Sequence, residues 1–109
     1  MVEYTLQLDS IFGSLADPTR RDILQRVSAE ELSVGQIAAK YDLTFAAVSK
    51  HLKVLEKARL IMKRRKGKEQ LVTLAPKALA EADEYLESYR RHWEQSLDRL
   101  ETYLKEQQL

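Results

Sequence analysis

The sequence contains no cysteine, and this absence excludes several kinds of site. Disulfides, thiolate ligands for zinc or iron–sulfur clusters, and thiol catalysis are ruled out, which fits a reducing compartment. Long apolar runs are also missing. No stretch approaches the ~18 consecutive apolar residues of a membrane span, and residues 1–10 have no apolar segment of secretory length. We therefore expect a cytoplasmic protein with no membrane partner.

Glycine and proline are scarce, with three and two residues in a chain of 109. Three glycines cannot form a phosphate-cradling loop. Ser10, Ser14, Ser49 and Asp98 offer no serine–base–acid constellation. The sequence therefore predicts no catalytic site and no cofactor, and the protein is not expected to be an enzyme.

One domain is expected over residues 1–109, because independent domains usually have about 100 to 150 residues. Leucine, isoleucine, valine and phenylalanine supply 29 residues, about 27% of the chain. This exceeds the roughly 20% below which a chain tends to remain disordered. The chain can bury one core, and no linker or repeat divides it.

Apolar residues at spacings of three and four predict two helices at the start of the chain. The first helix has Tyr4, Leu8 and Leu15 on one face. Asp17 is a predicted N-cap, and Pro18 fits the first turn of the second helix.

Two short helices with a tight turn between them are predicted over residues 33–58. Ser33 and Gln36 match a capping box, which marks the start of the third helix. Thr44 is the predicted N-cap of the fourth helix, and only about three residues separate it from the end of the third. This arrangement is a helix-turn-helix.

The period changes to two in residues 60–75, which predicts a β-hairpin. The turn includes Lys66, Gly67 and Lys68, and Gly67 supplies the positive φ that a tight turn needs. A helix-turn-helix followed by such a hairpin is typical of a winged helix-turn-helix. The predicted fold class is therefore mainly α with a small β-hairpin wing.

A long helix is predicted over residues 77–106. At 1.5 Å per residue it would be about 45 Å long, whereas a compact domain of this size has a radius of gyration near 13 Å. Its apolar stripe should therefore extend past its own core and pack against a second copy of the chain. The predicted dimer interface consists of Tyr4, Leu8, Leu86, Tyr89, Trp93, Leu97, Leu100 and Leu104. The alternative for Tyr85, Tyr89 and Trp93 is the lining of a ligand cavity.

Positive charge is concentrated in one part of the chain, although the net charge is only +1. Residues 44–68 contain nine lysines and arginines and the single acid Glu56, a balance of +8. The remaining residues carry −7. The low net charge therefore does not exclude a nucleic-acid partner.

The predicted fourth helix separates apolar from cationic residues. Lys50, Lys53 and Lys57 share a face with Ala46, opposite an apolar face. Lysines on one exposed helix face are usually only solvated. The adjacent hairpin favours double-stranded DNA instead, because its cations would repel one another unless a polyanion neutralised them.

Two segments resemble the ArsR/SmtB family of bacterial winged-helix repressors. They are LADPTRRDIL (Leu15 to Leu24) and SVGQIAAKYDLTFAAVSKHLKVLEKARLI (Ser33 to Ile61), followed by the wing around Gly67. The motif VSKHLKVLEKA is fairly specific within them. The tail YRRHWEQSLDRLETYL further resembles a branch of that family that lacks metal-binding cysteines and is often encoded beside small lipid-cavity-type proteins.

The resemblance implies a homodimer that binds operator DNA near its own promoter and leaves when a signal arrives. The operator, the regulated genes and the signal, including any small-molecule effector, are not identified by the sequence. The resemblance and the charge pattern together give a predicted DNA-binding set. This set is Thr44, Phe45, Ala46, Ser49, Lys50, His51, Lys53, Lys57, Arg64, Arg65, Lys66 and Lys68.

Three positions depart from the family pattern. Ser33 and Gly35 replace the cysteines of metal-sensing members, so that sensing site is absent. Arg59 replaces a glycine that usually closes the recognition helix, so the turn there lacks its usual left-handed residue. Phe45 stands where a polar side chain often reads bases, which permits apolar contact with thymine methyl groups.

Alternative interpretations remain for three features. His51 fits a phosphate contact, but a half-buried packing role is favoured. His92 lies near carboxylates on the long helix, as in a metal-responsive repressor, but the ligand spacing of such sensors is not reproduced. The long aromatic and leucine-rich helix could also serve a protein-interaction module that uses the winged helix as a scaffold.

Overall fold

The computed structural model describes the backbone of residues 2–108 and the side chains of residues 7–108. Within residues 2–108, five helices and three strands follow one another, in agreement with the predicted fold class. In order they are α1 (Val2–Leu15), α2 (Pro18–Ala29), β1 (Leu32–Ser33), α3 (Val34–Tyr41), α4 (Phe45–Lys57), β2 (Ile61–Lys66), β3 (Glu69–Leu74) and α5 (Pro76–Gln107). Among the described residues, no helix has both the length and the apolar content needed to cross a membrane.

The predicted helix starts are confirmed by side-chain caps. Asp17 accepts a hydrogen bond of 3.0 Å from the backbone N–H of Arg20, and this bond lowers the pKa of Asp17. Ser33 and Gln36 form the reciprocal capping box, with distances of 3.0 and 2.8 Å. The hydroxyl oxygen of Thr44 caps α4 in the same way as Asp17 caps α2. Each cap satisfies a backbone donor that the first helical turn leaves unpaired.

The wing is an antiparallel sheet with the strand order β1-β3-β2. Gly67 has a φ of 61° in the tight turn between β2 and β3, as the sequence predicts. The edge strand β1 was not predicted. Its two residues, Leu32 and Ser33, pair with Val72 and Leu71, and a strand of this length has no periodicity by which to recognise it.

The turn after α4 corrects the expectation for Arg59. This residue itself adopts the left-handed conformation, with a φ of 60°. The N–H of Leu60 donates to the carbonyl of Leu55, and that of Arg59 donates to the carbonyl of Glu56, which is the Schellman pattern. The helix therefore ends as it would with glycine, at a steric cost of about 1 kcal/mol for a residue with a Cβ atom.

The core lies between α1, α2, α3, α4 and the inner face of the sheet. Its fully buried side chains include Ile11, Ile23, Leu52 and Val72. Leu8 is also buried, with only 7% of its surface exposed. This corrects its placement in the predicted dimer interface, because the chain's own core leaves little of Leu8 for a second chain. The side chain of Tyr4 lies outside the described residues.

Helix α5 extends past the core, as predicted. Ala78 and Ala82 are buried near its start, and almost all of the helix beyond Glu87 is exposed. The described chain measures 72 × 31 × 21 Å along its principal axes. The second half of α5 is thus a projecting arm.

Candidate nucleic-acid interface

Helix α4 presents a cationic face to solvent. Lys50, Lys53 and Lys57 are exposed, and with Ala46 they lie within an arc of about 60° at 100° per residue. The opposite side of the helix, which includes Val48 and Leu52, is completely buried. The core therefore fixes the orientation of the helix and keeps the lysine face outward.

One flank of α4 faces the wing. Phe45, exposed over 63% of its surface, and the half-buried Ser49 border a cleft of about 370 Å³. The wing side of the cleft is formed by Lys68, Glu69 and Gln70, and its floor comes from the first turn of α3. The start of the predicted recognition helix and the turn end of the wing therefore border the same cleft.

The other flank of α4 packs towards α2. The half-buried His51 places its Nδ1 3.5 Å from Nη1 of Arg20. Arg20 in turn donates hydrogen bonds to the carbonyls of Ser14, at 2.7 Å, and Gly13, at 3.4 Å. This supports the packing interpretation of His51. Arg20 was missed by the sequence analysis, because nothing in the local sequence shows that α2 and α4 meet at this point.

The wing cations differ in their surroundings. Arg65, Lys66 and Lys68 are exposed around the turn. Arg64 instead donates two hydrogen bonds to the carboxylate of Glu31, from Nε at 2.9 Å and from Nη2 at 2.7 Å. These bonds lower the pKa of Glu31 and raise that of Arg64. A phosphate group would have to compete with Glu31 for Arg64.

A second ion pair connects the wing to α4. Nζ of Lys63 lies 3.5 Å from a carboxylate oxygen of Glu56. Glu31 also adds a negative charge to this surface, although it lies outside residues 44–68. The cationic surface is therefore less positive than the segment charge of +8 suggests.

A polar cluster joins α2 to α3 behind this surface. The hydroxyl of Tyr41 donates to Oδ2 of Asp22 at 2.5 Å, and Nε of Arg26 donates to the same oxygen at 3.0 Å. The hydrogen bond from Tyr41 is the main reason that the pKa of Asp22 is lowered. Burial, reinforced by Asp22, raises the pKa of Tyr41 to about 12. The cluster fixes α3 against α2 and so positions the helix-turn-helix.

The predicted dimer stripe on α5 is open to solvent in the single chain. Leu86, Tyr89, Trp93, Leu97, Leu100 and Leu104 are each exposed over 52–67% of their surface. At the base of the stripe, Tyr85 contacts Phe12 of α1, with ring centroids 6.0 Å apart, and Tyr89, at 5.2 Å. His92 is exposed on the same helix, and no three histidine or carboxylate side chains within the described residues are placed to hold a metal ion.

Comparison with known proteins connects this arrangement with transcription. A family model described as a helix-turn-helix domain matches residues 15–64. The chain is 42% identical over 72 residues to the HTH-type transcriptional regulator Rv2034 of Mycobacterium tuberculosis, covering 66% of this chain and 67% of that protein. It is 33% identical over 60 residues to the transcriptional repressor SdpR of Bacillus subtilis, covering 55% and 67%.

A solved structure shows the same fold. The crystal structure of the ArsR family transcriptional regulator RHA00566 superposes with a TM-score of 0.77 at 29% sequence identity. The match covers 83% of this chain and 93% of that one.

Proposed function

Because this chain belongs to the ArsR/SmtB family of winged helix-turn-helix transcriptional regulators, we propose that it is a repressor that binds an inverted-repeat operator as a homodimer. The observations that carry this proposal are the exposed lysine face of α4 and, beside it, the cleft that Phe45 and Ser49 of the same helix form with the wing. The protein regulates by binding alone and catalyses no reaction. The operator lies near its own promoter, and a signal releases the protein from it.

Helix α4 is the recognition helix in this proposal. Lys50 and Lys53 project from the face that would enter the major groove, and the small side chain of Ala46 allows that face to approach the base edges closely. Phe45 is exposed at the first turn, where its ring is suited to contact thymine methyl groups. Thr44, Ser49 and Lys57 complete the groove-facing set, and His51 holds the helix against α2 rather than touching DNA.

The wing supplies contacts with the DNA backbone that do not depend on the base sequence of the DNA. Arg65, Lys66 and Lys68 are exposed around the turn, where they can reach phosphates beside the groove occupied by α4. Arg64 plays a different part, because its guanidinium is already bound by Glu31. This pair keeps β2 close to the segment before β1 and so limits the direction in which the wing projects.

Two copies of the chain are needed to read an inverted repeat. In a two-fold dimer, two recognition helices would enter successive major grooves with half-sites about one helical turn apart. The exposed stripe on α5 is the surface that supports dimerisation. Leu86, Tyr89, Trp93, Leu97, Leu100 and Leu104 form the proposed interface, without Leu8.

The test is a fluorescence anisotropy titration on the DNA upstream of the protein's own gene, with a scrambled duplex of equal length as the control. Binding should favour the upstream DNA. Six to ten phosphate contacts would reduce affinity by about 10³ to 10⁵ between 50 and 200 mM salt. Equal affinity for both duplexes would refute sequence-specific recognition. An affinity that does not change with salt would refute the proposed phosphate contacts.

The exposed α5 stripe also supports a second candidate, a module that binds a different protein through this helix. Light scattering separates the two, because a repressor of the proposed kind is a stable dimer. A monomer that aggregates through its exposed stripe would favour the interaction module.

A further inference from the structure

Two neutral side chains that can donate hydrogen bonds border the cleft between α4 and the wing. Ser49 borders it from the flank of α4, and Gln70 borders it from β3. Within residues 7–108, neither side chain makes a hydrogen bond with another group of the protein. Both donors can therefore bind a group that enters the cleft.

The hydroxyl of Ser49 differs from those of four serines in other helices. A serine inside a helix can donate its hydroxyl to the backbone carbonyl three or four residues earlier. Four serines do so, at distances of 2.7 to 3.1 Å, namely Ser14, Ser28, Ser88 and Ser96. Ser49 makes no such bond in the described part of the chain, although it is half-buried in α4.

The geometry of the wing directs Gln70 towards α4. Gln70 is the partner of Arg65 in the register of β2 and β3, so their side chains lie on the same face of the sheet. Lys63 shares that face, because side chains alternate along a strand. The ion pair between Lys63 and Glu56 of α4 shows that this face is turned towards the predicted recognition helix.

A glycine keeps the floor of the cleft open. Gly35 lies in the first turn of α3, outside the left-handed conformation that favours glycine. A Cβ atom at this position would make ordinary contacts, 3.7 Å from Cζ of Phe45 and 3.8 Å from Oγ of Ser33. The fold therefore does not require glycine here, and the missing side chain leaves room on the floor of the cleft.

The cleft lies beside the face of α4 that is proposed to enter the major groove. At 100° per residue, Ser49 is about 70° around the helix from the centre of the lysine face. When a helix lies in the groove, the sugar-phosphate backbone at the edge of the groove runs along the flank of that helix. The cleft of about 370 Å³ greatly exceeds the roughly 30 Å³ that one water molecule occupies in the liquid, so it can admit a phosphate group.

We propose that this cleft holds one phosphate of the operator backbone, to which Ser49 donates from its hydroxyl and Gln70 from its side-chain amide. This phosphate clamp rests on the repressor function proposed above. It connects α4 with the wing through the DNA, so it forms only when the recognition helix lies fully in the groove. Gln70, which is outside the predicted DNA-binding set, therefore strengthens operator binding without contacting a base.

The charges around the cleft also bear on the clamp. Lys68 borders the cleft and attracts a phosphate, whereas the carboxylate of Glu69 opposes it. Glu69 follows Lys68 in the chain and is the partner of Lys66 across the hairpin. The three residues together carry a net positive charge, so the wing side of the cleft favours an anion.

Neutral donors and cations differ in how they bind DNA. A lysine attracts phosphates over several ångströms and releases counterions, so it contributes to binding on any duplex. A hydroxyl or an amide contributes only when a phosphate oxygen lies within about 3 Å of it. A loosely bound non-specific complex does not fix a phosphate in this way, but an operator complex does. The clamp should therefore contribute to operator binding alone.

Anisotropy titrations of Ser49→Ala and Gln70→Ala on the upstream and scrambled duplexes test the clamp. Each variant should bind the upstream DNA roughly ten-fold more weakly, as expected for the loss of one hydrogen bond to a charged group. Affinity for the scrambled duplex should not change. The slope of log affinity against log salt should also stay the same, because neither side chain carries a charge.

Gln25→Ala is the matched control for Gln70→Ala. Gln25 is an exposed glutamine on α2, away from the cleft. This variant should bind both duplexes as the wild type does.

Duplexes with a single neutral methylphosphonate identify the phosphate itself. At the clamped position, this replacement should weaken binding by the wild type more than it weakens binding by Ser49→Ala or Gln70→Ala. Each variant has already lost its contact there, so the two changes are not additive. Both variants should identify the same phosphate in each half-site.

The outcomes separate the clamp from the proposed function. If the wild type binds the upstream and scrambled duplexes equally, operator recognition fails, and the clamp fails with it. If the wild type prefers the upstream DNA but Gln70→Ala binds both duplexes as the wild type does, only the clamp is overturned. The clamp is also overturned if the two variants identify different phosphates, or if either variant weakens binding to both duplexes equally.

Discussion

Glu31 and Arg64 form a bidentate ion pair that connects the segment before β1 with the middle of β2. The carboxylate of Glu31 therefore binds the guanidinium of Arg64, a residue that the charge pattern predicts to contact DNA. Because Arg64 is exposed over 59% of its side chain, a phosphate could reach it if Glu31 released it.

Replacement of Glu31 should therefore strengthen DNA binding. In Glu31→Gln the loss of the negative charge frees Arg64, and we expect a few-fold higher affinity for any duplex at low salt. One additional phosphate contact should make the slope of log affinity against log salt steeper by about one. Anisotropy titrations between 50 and 200 mM salt measure both effects.

Glu30→Gln is the matched control. Glu30 is exposed and lies next to Glu31 in the chain, and its replacement removes the same negative charge. If the two variants bind equally, the effect is one of net charge alone and Arg64 gains no phosphate contact.

The Tyr41 cluster predicts a loss of stability at alkaline pH. The folded protein raises the pKa of Tyr41 from 10.0 to about 12, so the folded state favours the protonated phenol. This contribution is complete below pH 10 and is lost as the pH rises towards 12. Urea unfolding at several pH values should show a decrease in the free energy of unfolding over this range.

Tyr41→Phe should abolish that alkaline decrease and, at neutral pH, should lower the free energy of unfolding by about 1 kcal/mol through the lost hydrogen bond to Asp22. Tyr103→Phe is the control, because Tyr103 is exposed at the end of α5. An equal alkaline decrease in wild type and Tyr41→Phe would contradict the assignment.

The left-handed conformation of Arg59 predicts a stabilising substitution. Arg59→Gly removes the steric cost of a Cβ atom at a φ of 60°, and this gain exceeds the extra freedom that glycine gives the unfolded chain. We expect the free energy of unfolding to rise by about 0.5 kcal/mol in urea titrations, which is the steric cost less the offset from glycine.

Arg59→Ala separates the backbone effect from the loss of the side chain. Alanine keeps the Cβ atom, so this variant should not be stabilised. Equal stability of the glycine and alanine variants would show that the turn is unstrained.

The features predicted correctly from the sequence are those that depend on nearby residues. The N-caps at Asp17, Ser33 and Thr44 each involve a residue three positions away, and the turn at Gly67 depends on glycine itself. Such interactions involve residues close together in the chain, so a short segment of sequence is enough to predict where each helix starts.

The features missed by the sequence analysis depend on tertiary contacts. Arg64 and Glu31 are 33 residues apart, and Arg20 and His51 are 31 apart, so no local pattern pairs them. Periodicity shows that Leu8 lies on an apolar face but does not show which surface covers it. Only the position of α1 over the core shows that Leu8 is buried within its own chain.

If α4 contacts bases and the wing contacts phosphates, replacement of one lysine from each should reduce DNA affinity in different ways. Lys50 lies on the face of α4 directed at the bases, whereas Lys66 lies at the end of β2 beside the turn. Lys50→Ala should weaken binding to the upstream DNA by about 1 to 3 kcal/mol and have little effect on a scrambled duplex. Lys66→Ala should weaken binding to both duplexes equally and reduce the salt slope by about one.

Both variants are measured in parallel by fluorescence anisotropy, and far-UV circular dichroism confirms that both are folded. If Lys50→Ala instead loses affinity equally for both duplexes, Lys50 contacts phosphate and sequence must be read by other residues of α4, of which the exposed Phe45 is the first to test.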